Sequence, residues 1–170
     1  MKKVLLDCDP GHDDAVAIML ACASNELEVK GITTVAGNQT GEKTFQNALK
    51  VLSLIREELP IARGLDVPLL RELVTAPDIH GETGLDGAAL PDPRVEPVKS
   101  HAVNFIVESV LSSREAVYVI STGPLGNIAS ALLIAPAIKE KIERIVLMGG
   151  GVFDSNVTPA AEFNVYVDPE

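Results

Sequence analysis

The chain has 170 residues, 46% of them hydrophobic, with a formal net charge of −10, which is enough apolar material for one substantial core and nothing like a disordered or fibrous composition. No Lys/Arg block is present to neutralise phosphates, so nucleic acid and anionic membrane surfaces are excluded as partners, and a metal ion or a small neutral or cationic ligand fits better. Met1-Lys2-Lys3 leads into only Val4-Leu5-Leu6 before Asp7, no apolar run approaches bilayer-spanning length, and Cys8 and Cys22 make no disulfide framework; a reducing, cytoplasmic setting is expected.

In chain order, the apolar run 4–6 reads as a strand, 13–23 as a helix, 29–35 as a strand and 42–58 as a helix, a βαβα pattern. From 63 to 99 the sequence is rich in Pro, Gly and Asp and too long for an ordinary connection, which marks a functional loop or flap. Regularity returns with a helix over 100–112, a strand over 117–121, a helix over 125–133 and a strand over 145–148. Continuous Val/Ile/Leu strands joined through helices imply a single α/β domain over 1–170 with an open, mostly parallel sheet flanked by helices and a Rossmann-like core. The chain stops where a helix could be starting, so it is expected to be the N-terminal part of a longer domain. An open sheet with an uncovered edge is prone to association, and a homo-oligomer is expected.

Polar punctuation follows several strands: Asp7 to Asp14, then Gly37-Asn38-Gln39, Ser121-Thr122-Gly123-Pro124, and Met148-Gly149-Gly150-Gly151. In a parallel sheet these C-terminal ends share one edge, so the segments converge on one site. Asp7, Asp9, Asp13 and Asp14 crowd around the Pro10-Gly11 turn. One Asp would suffice to cap a helix; carboxylates in excess of that repel one another and call for a hard cation such as Ca²⁺ or Mg²⁺. Pro124 disfavours helix at Gly123 and leaves the Thr122 carbonyl unpaired, hence available to such an ion. Cys8, flanked by Asp7 and Asp9, reads as a packed strand-end thiol rather than a nucleophile. The Gly149 to Gly151 run matches neither phosphate-binding pattern, but suits close approach to a neutral ligand such as a sugar. Asn156, Glu162 and Asn164 follow it and suit hydroxyl groups. His101 is placed at a helix start, and His80, inside the long loop, is a candidate lid contact.

Taken together, Asp7-Cys8-Asp9-Pro10-Gly11-His12-Asp13-Asp14-Ala15, Val35-Ala36-Gly37-Asn38, Ile79-His80-Gly81, Gly123-Pro124-Leu125-Gly126-Asn127, Met148-Gly149-Gly150 and Ala161-Glu162-Phe163-Asn164 resemble the nucleoside hydrolases of the inosine-uridine-preferring type. That resemblance implies Ca²⁺ at the strand ends and hydrolysis of the N-glycosidic bond of a small-molecule ribonucleoside to ribose and free base. By motif position, Asp9 would be the general base and touch the metal, Asp14 the principal metal ligand, and Thr122 a ligand through its carbonyl. Asp13 and Asn38 would hold ribose hydroxyls, Met148, Asn156, Glu162 and Asn164 would line the rest of the sugar site, and His80 would belong to the flap. Family members are roughly twice as long as this chain, so the remaining metal ligand and the groups that meet the base are expected beyond Glu170, and activity of the 170 residues alone is doubtful. Two other readings are a non-catalytic calcium- or ribose-binding domain and a haloacid dehalogenase-like phosphotransferase built on Asp7-x-Asp9; the further negative charge at Asp13 and Asp14 disfavours the second.

Overall fold

A computed structural model describes all residues, 1–170. Five strands form one sheet in the order β3-β2-β1-β4-β5, with β1 Lys2–Cys8, β2 Leu27–Thr34, β3 Ile61–Arg63, β4 Val117–Ser121 and β5 Ile142–Leu147. All four pairings are parallel, as helical crossovers require. The helices are α1 His12–Ala23, α2 Gly41–Ile55, α3 Pro77–His80, α4 Ala102–Ser112, α5 Gly126–Ile134 and α6 Phe163–Val167, with a 3₁₀ turn over Pro136–Lys141. No helix is long and apolar enough to cross a membrane.

The alternation of β1 divides the core between the two sheet faces. Leu6 and Cys8 pack with Ile18 of α1 and Phe45, Leu49 and Leu52 of α2, whereas Leu5 packs with Val103, Ile106 and Val110 of α4 and Ala131 of α5. β1 is the central strand, buried from Val4 onward, so its C-terminal end is delivered to the middle of the sheet edge with helices on both sides. That placement brings Asp7 and Asp9 out of solvent.

The predicted elements are present with shifted ends. The helix predicted to reach 58 stops at Ile55, because Arg56 adopts a left-handed backbone (φ 60°) that closes the last turn. β5 starts at Ile142 rather than 145, its charged residues Glu143 and Arg144 having masked it. β3 is three residues long and begins inside what the sequence offered only as an approach to the long loop. Within the loop only Pro77–His80 is helical, yet Leu85 is buried in the core cluster beneath α1 and α2, so the segment is anchored. The His101 ring accepts from the Val103 N–H and caps α4, as expected.

Asn127 ties the strand ends together. Fully buried in the first turn of α5, it donates from Nδ2 to Asp7 Oδ1 and to the Thr34 carbonyl, each at 2.9 Å, and accepts from the Leu65 N–H at 3.0 Å. One side chain thus joins β1, β2 and the exit from β3. Asn127→Ala would leave an N–H, a carbonyl and a carboxylate oxygen short of partners in a buried place, and is expected to destabilise the fold by about 2–4 kcal/mol in urea unfolding; a loss below about 0.5 kcal/mol would mean the clamp is dispensable.

Candidate active site

Asp9 follows the last residue of β1 and is completely buried. The Asn38 N–H donates to its Oδ2 at 2.7 Å, while Oδ1 has no partner. Gly37 and Gly123 make room for this carboxylate: a Cβ on Gly37 would lie 2.2 Å from Oδ2, and one on Gly123 would lie 2.7 Å from Oδ1. Burial, then the charge of Asp14, pushes the Asp9 carboxyl well above its ordinary range.

Asp14 occupies the first turn of α1, also fully buried. Its Oδ2 accepts from the Gly11 N–H at 3.0 Å and from Asn38 Nδ2 at 3.2 Å, and its Oδ1 accepts from the Thr122 hydroxyl. It therefore serves as the helix cap and as the junction of three strand-end segments at once. Burial raises its carboxyl to about 6 despite the bonds from Thr122 and Gly11. Asn38 Nδ2 also donates to the Asp9 carbonyl at 3.1 Å, so the donors of Asn38 hold the Asp9 and Asp14 segments together.

Of the four carboxylates that crowd the turn in sequence, the fold keeps two together. Asp7 turns toward α5, where Thr33 and Asn127 donate to Oδ1 and Oδ2 is left without a partner; burial pushes it up to about 6. Asp13 is exposed. No three His, Cys, Asp or Glu side chains converge as a ready-made cation site; the oxygens this chain offers a hard ion are the carboxylates of Asp9 and Asp14 and the Thr122 carbonyl. That carbonyl is not unpaired, since Asn164 Nδ2 donates to it at 2.8 Å, but a carbonyl oxygen keeps a second lone pair.

The later motifs gather beside this pair. Asn164, buried on α6, also donates to the Met148 carbonyl at 2.9 Å and so links the ends of β4 and β5. Glu162 caps α6, its Oε2 accepting from the Val165 and Gly150 N–H groups, and Asn156 Oδ1 accepts from the Phe163 N–H at 3.0 Å. Met148 is partly exposed just beyond β5. His80 is packed against Gly11, where an added Cβ would meet its Nδ1 at 2.6 Å, and burial holds its imidazole below the usual value. Cys8 is buried with its thiol pushed well up, first by burial and then by the neighbouring carboxylates, the environment of a packed thiol.

Sequence reasoning passed over Gly37 and Gly123 as spacers for Asp9, the Asp7–Thr33–Asn127 network, and the polar series Gln39, Lys43 and Asn47. Of the last, Lys43 and Asn47 had a readable signal, since residues four apart share one helix face. The network had none, because Asn127 meets partners 62 to 120 residues away.

These raised carboxyls set the sign of the pH dependence in metal-free protein. Asp7 and Asp14 bind a proton more tightly folded (about 6) than at the ordinary value of 3.8, so their contribution to stability is complete below that ordinary value and is lost as pH rises through about 6. Unfolding by urea in the presence of a chelator is expected to give lower stability at about pH 7.5 than at about pH 5; equal or greater stability at the higher pH would contradict the burial assigned to the carboxylates.

Residues 4–170 match the family described as inosine-uridine preferring nucleoside hydrolase. The chain is 52% identical over 170 residues to a pyrimidine-specific ribonucleoside hydrolase RihA of Photobacterium profundum, covering 99% of this chain and 55% of that protein. It is 54% identical over 168 residues to RihA of Escherichia coli O139:H28, covering 98% and 54%. Among solved structures, a purine-preferring ribonucleoside hydrolase from Gardnerella vaginalis superposes with a TM-score of 0.94 at 36% identity, covering 99% of this chain and 55% of that one. An inosine-uridine preferring nucleoside hydrolase from Bacillus anthracis gives 0.82 at 25% identity, covering 99% and 59%. The chain thus spans about half the length of the relatives it matches. With the sequence match and the superposed fold in agreement, it belongs to the inosine-uridine preferring nucleoside hydrolase family.

Proposed function

We propose that this chain carries the sugar- and water-activating part of a ribonucleoside hydrolase, which cleaves the N-glycosidic bond to give ribose and free base. The observation that carries the proposal is a fully buried carboxylate, Asp9, with one oxygen fixed by Asn38 and the other left without a partner, beside a second buried carboxylate at the C-terminal edge of a parallel sheet. Every neighbouring charge named as acting on Asp9 raises its carboxyl, so a cation is the missing partner that would let both acids ionise. The orphaned Oδ1 and the oxygen-only donor set fit a hard ion, and calcium is our assignment, held by Asp9, Asp14 and the Thr122 carbonyl. When bound, such an ion would acidify a water molecule and offset the carboxylate repulsion.

The protein's own groups then divide the work. Ordinary glycosidases use a pair of carboxyl groups, but here both oxygens of Asp14 are occupied by N–H and O–H donors. Asp9 Oδ1 is the oxygen of the pair with no donor on it; one of its lone pairs would face the ion, and the other takes the proton from the attacking water. At Gly37 and Gly123 any side chain would collide with the carboxylate, so glycine at both positions leaves it room. Asp13, exposed at the start of α1, is placed to accept from sugar hydroxyls, with Glu162 and the Asn156–Asn164 segment lining the β5 side. As the anomeric carbon gains oxocarbenium character, these acidic and amide groups stabilise the positive ring.

The pyrimidine specificity of the RihA relatives makes a pyrimidine ribonucleoside our first choice of substrate. A phosphotransferase using Asp7 does not fit: that carboxylate is buried and bonded to Thr33 and Asn127, so no substrate reaches it. The proposal is tested in the full-length protein containing this chain, with calcium, by following free uracil and hypoxanthine from uridine and inosine. Uridine is expected to be the better substrate, and Asp9→Ala to lower kcat by at least about a hundredfold with KM changed much less. Nucleoside binding without base release would favour the non-catalytic reading, and near-normal turnover of Asp9→Ala would remove Asp9 as the base.

A further inference from the structure

The segment 76–86 lies against the candidate site and is fastened from two sides. From the α2 side, Gln39 Nε2 donates to the Gly81 carbonyl at 2.9 Å, Lys43 to the Glu82 carbonyl, and Asn47 Nδ2 to the carbonyls of Thr83 and Pro10 at 2.8 and 3.0 Å. The Asn38 carbonyl accepts from the Ala76 N–H at 3.0 Å. From the α1 side the fastening is His12. Its backbone N–H donates to His80 Nδ1 at 3.4 Å, its Nε2 bonds the Asp86 carbonyl at 3.0 Å, and its ring stacks on that of His80 with centroids 5.6 Å apart and planes 21° from parallel.

One of these contacts assigns a hydrogen. A carbonyl only accepts, so His12 carries its hydrogen on Nε2. His80 Nδ1 lies 3.4 Å from both the His12 backbone N–H and the bare His12 Nδ1, so it engages His12 in either tautomer, and its Nε2 bonds to nothing else in the chain. Holding the ring in this way leaves its Nε2 unengaged and the ring beside Gly11, one residue from the Asp9-Pro10 turn.

We propose that His12 is a positioning residue, which pins His80 and the segment 77–86 against the start of α1 so that His80 Nε2 is presented to a hydroxyl of the bound ribose, a group that can donate to it or accept from it. The proposal rests on the nucleoside reading for its ligand, but the pinning stands on the contacts themselves. Gln39, Lys43 and Asn47 grip carbonyls at 81–83, and only His12 reaches both ends of the loop turn, at His80 and at Asp86. His12 is exposed and belongs to neither core cluster, so its replacement removes the pin without opening the core.

The test uses two readouts on the full-length protein. In hydrogen–deuterium exchange, His12→Ala is expected to speed exchange of amides in 77–86 by about tenfold or more while β1, β2 and β4 stay unchanged; unchanged exchange in 77–86 would overturn the pin, and general acceleration would show a folding defect instead and equally overturn it. In steady-state kinetics with uridine, His12→Ala is expected to raise KM about fivefold or more with kcat altered less than about twofold, and the effect is expected to vanish in a His80→Ala background. An undiminished effect in that background would show that His12 does not act through His80. If the wild-type protein releases no base, the enzymatic reading fails while the exchange experiment still decides whether His12 pins the loop.

Discussion

Two buried carboxylates, Asp9 and Asp14, share one corner of the sheet edge without a positive side chain to balance them, and much of the surrounding structure exists to hold that arrangement. Desolvation alone would protonate or expel such groups. The chain counters it with N–H and O–H donors: the amides of Gly11 and Asn38, the Asn38 side chain and the Thr122 hydroxyl. Those donors come from three separate segments, so the electrostatics of the pair and the tertiary fold depend on each other. What the donors leave unsatisfied is a single oxygen of Asp9, and the account of function follows from that vacancy in its bonding.

The topology explains why this corner can exist. A parallel sheet collects its strand ends on one edge, and β1 at its centre is covered by α1 and α2 on one face and α4 and α5 on the other. Asp9 is buried by position alone, and the glycines at 37 and 123 let the neighbouring strand ends close over it. Farther back, Asn127 and Asp7 brace the same strand ends from the opposite face. Rigid support behind and adaptable loop in front is the usual division in a site of this kind.

The strands with continuous apolar runs were legible because burial on both faces leaves no room for alternation; β4 has the predicted bounds. β3 was invisible because three residues carry too little pattern. β5 looked shorter than it is because its first turns toward solvent carry charge. The convergence of Asp9, Asp14, Asn38 and Thr122 followed from strand-end logic before any coordinates. Their internal division of labour did not: that Thr122 would offer its hydroxyl to Asp14, and Asn164 its amide to the Thr122 carbonyl, depends on side-chain bonds across 108 and 42 residues. Likewise four carboxylates counted in a row became a pair, one braced acid and one exposed acid, which is a matter of direction rather than composition.

The central claim is that Asp9 and Asp14 form the anionic half of a cation site. Isothermal titration of Ca²⁺ into the chelator-treated protein containing this chain, at about pH 7.5, tests it most directly: the account predicts binding, weakened by at least about a hundredfold in Asp14→Ala and nearly as much in Asp14→Asn, because the substitution removes an anionic ligand from a hard-ion site. Calcium affinity unchanged in both variants, or no calcium binding by the unmodified protein, would contradict the account.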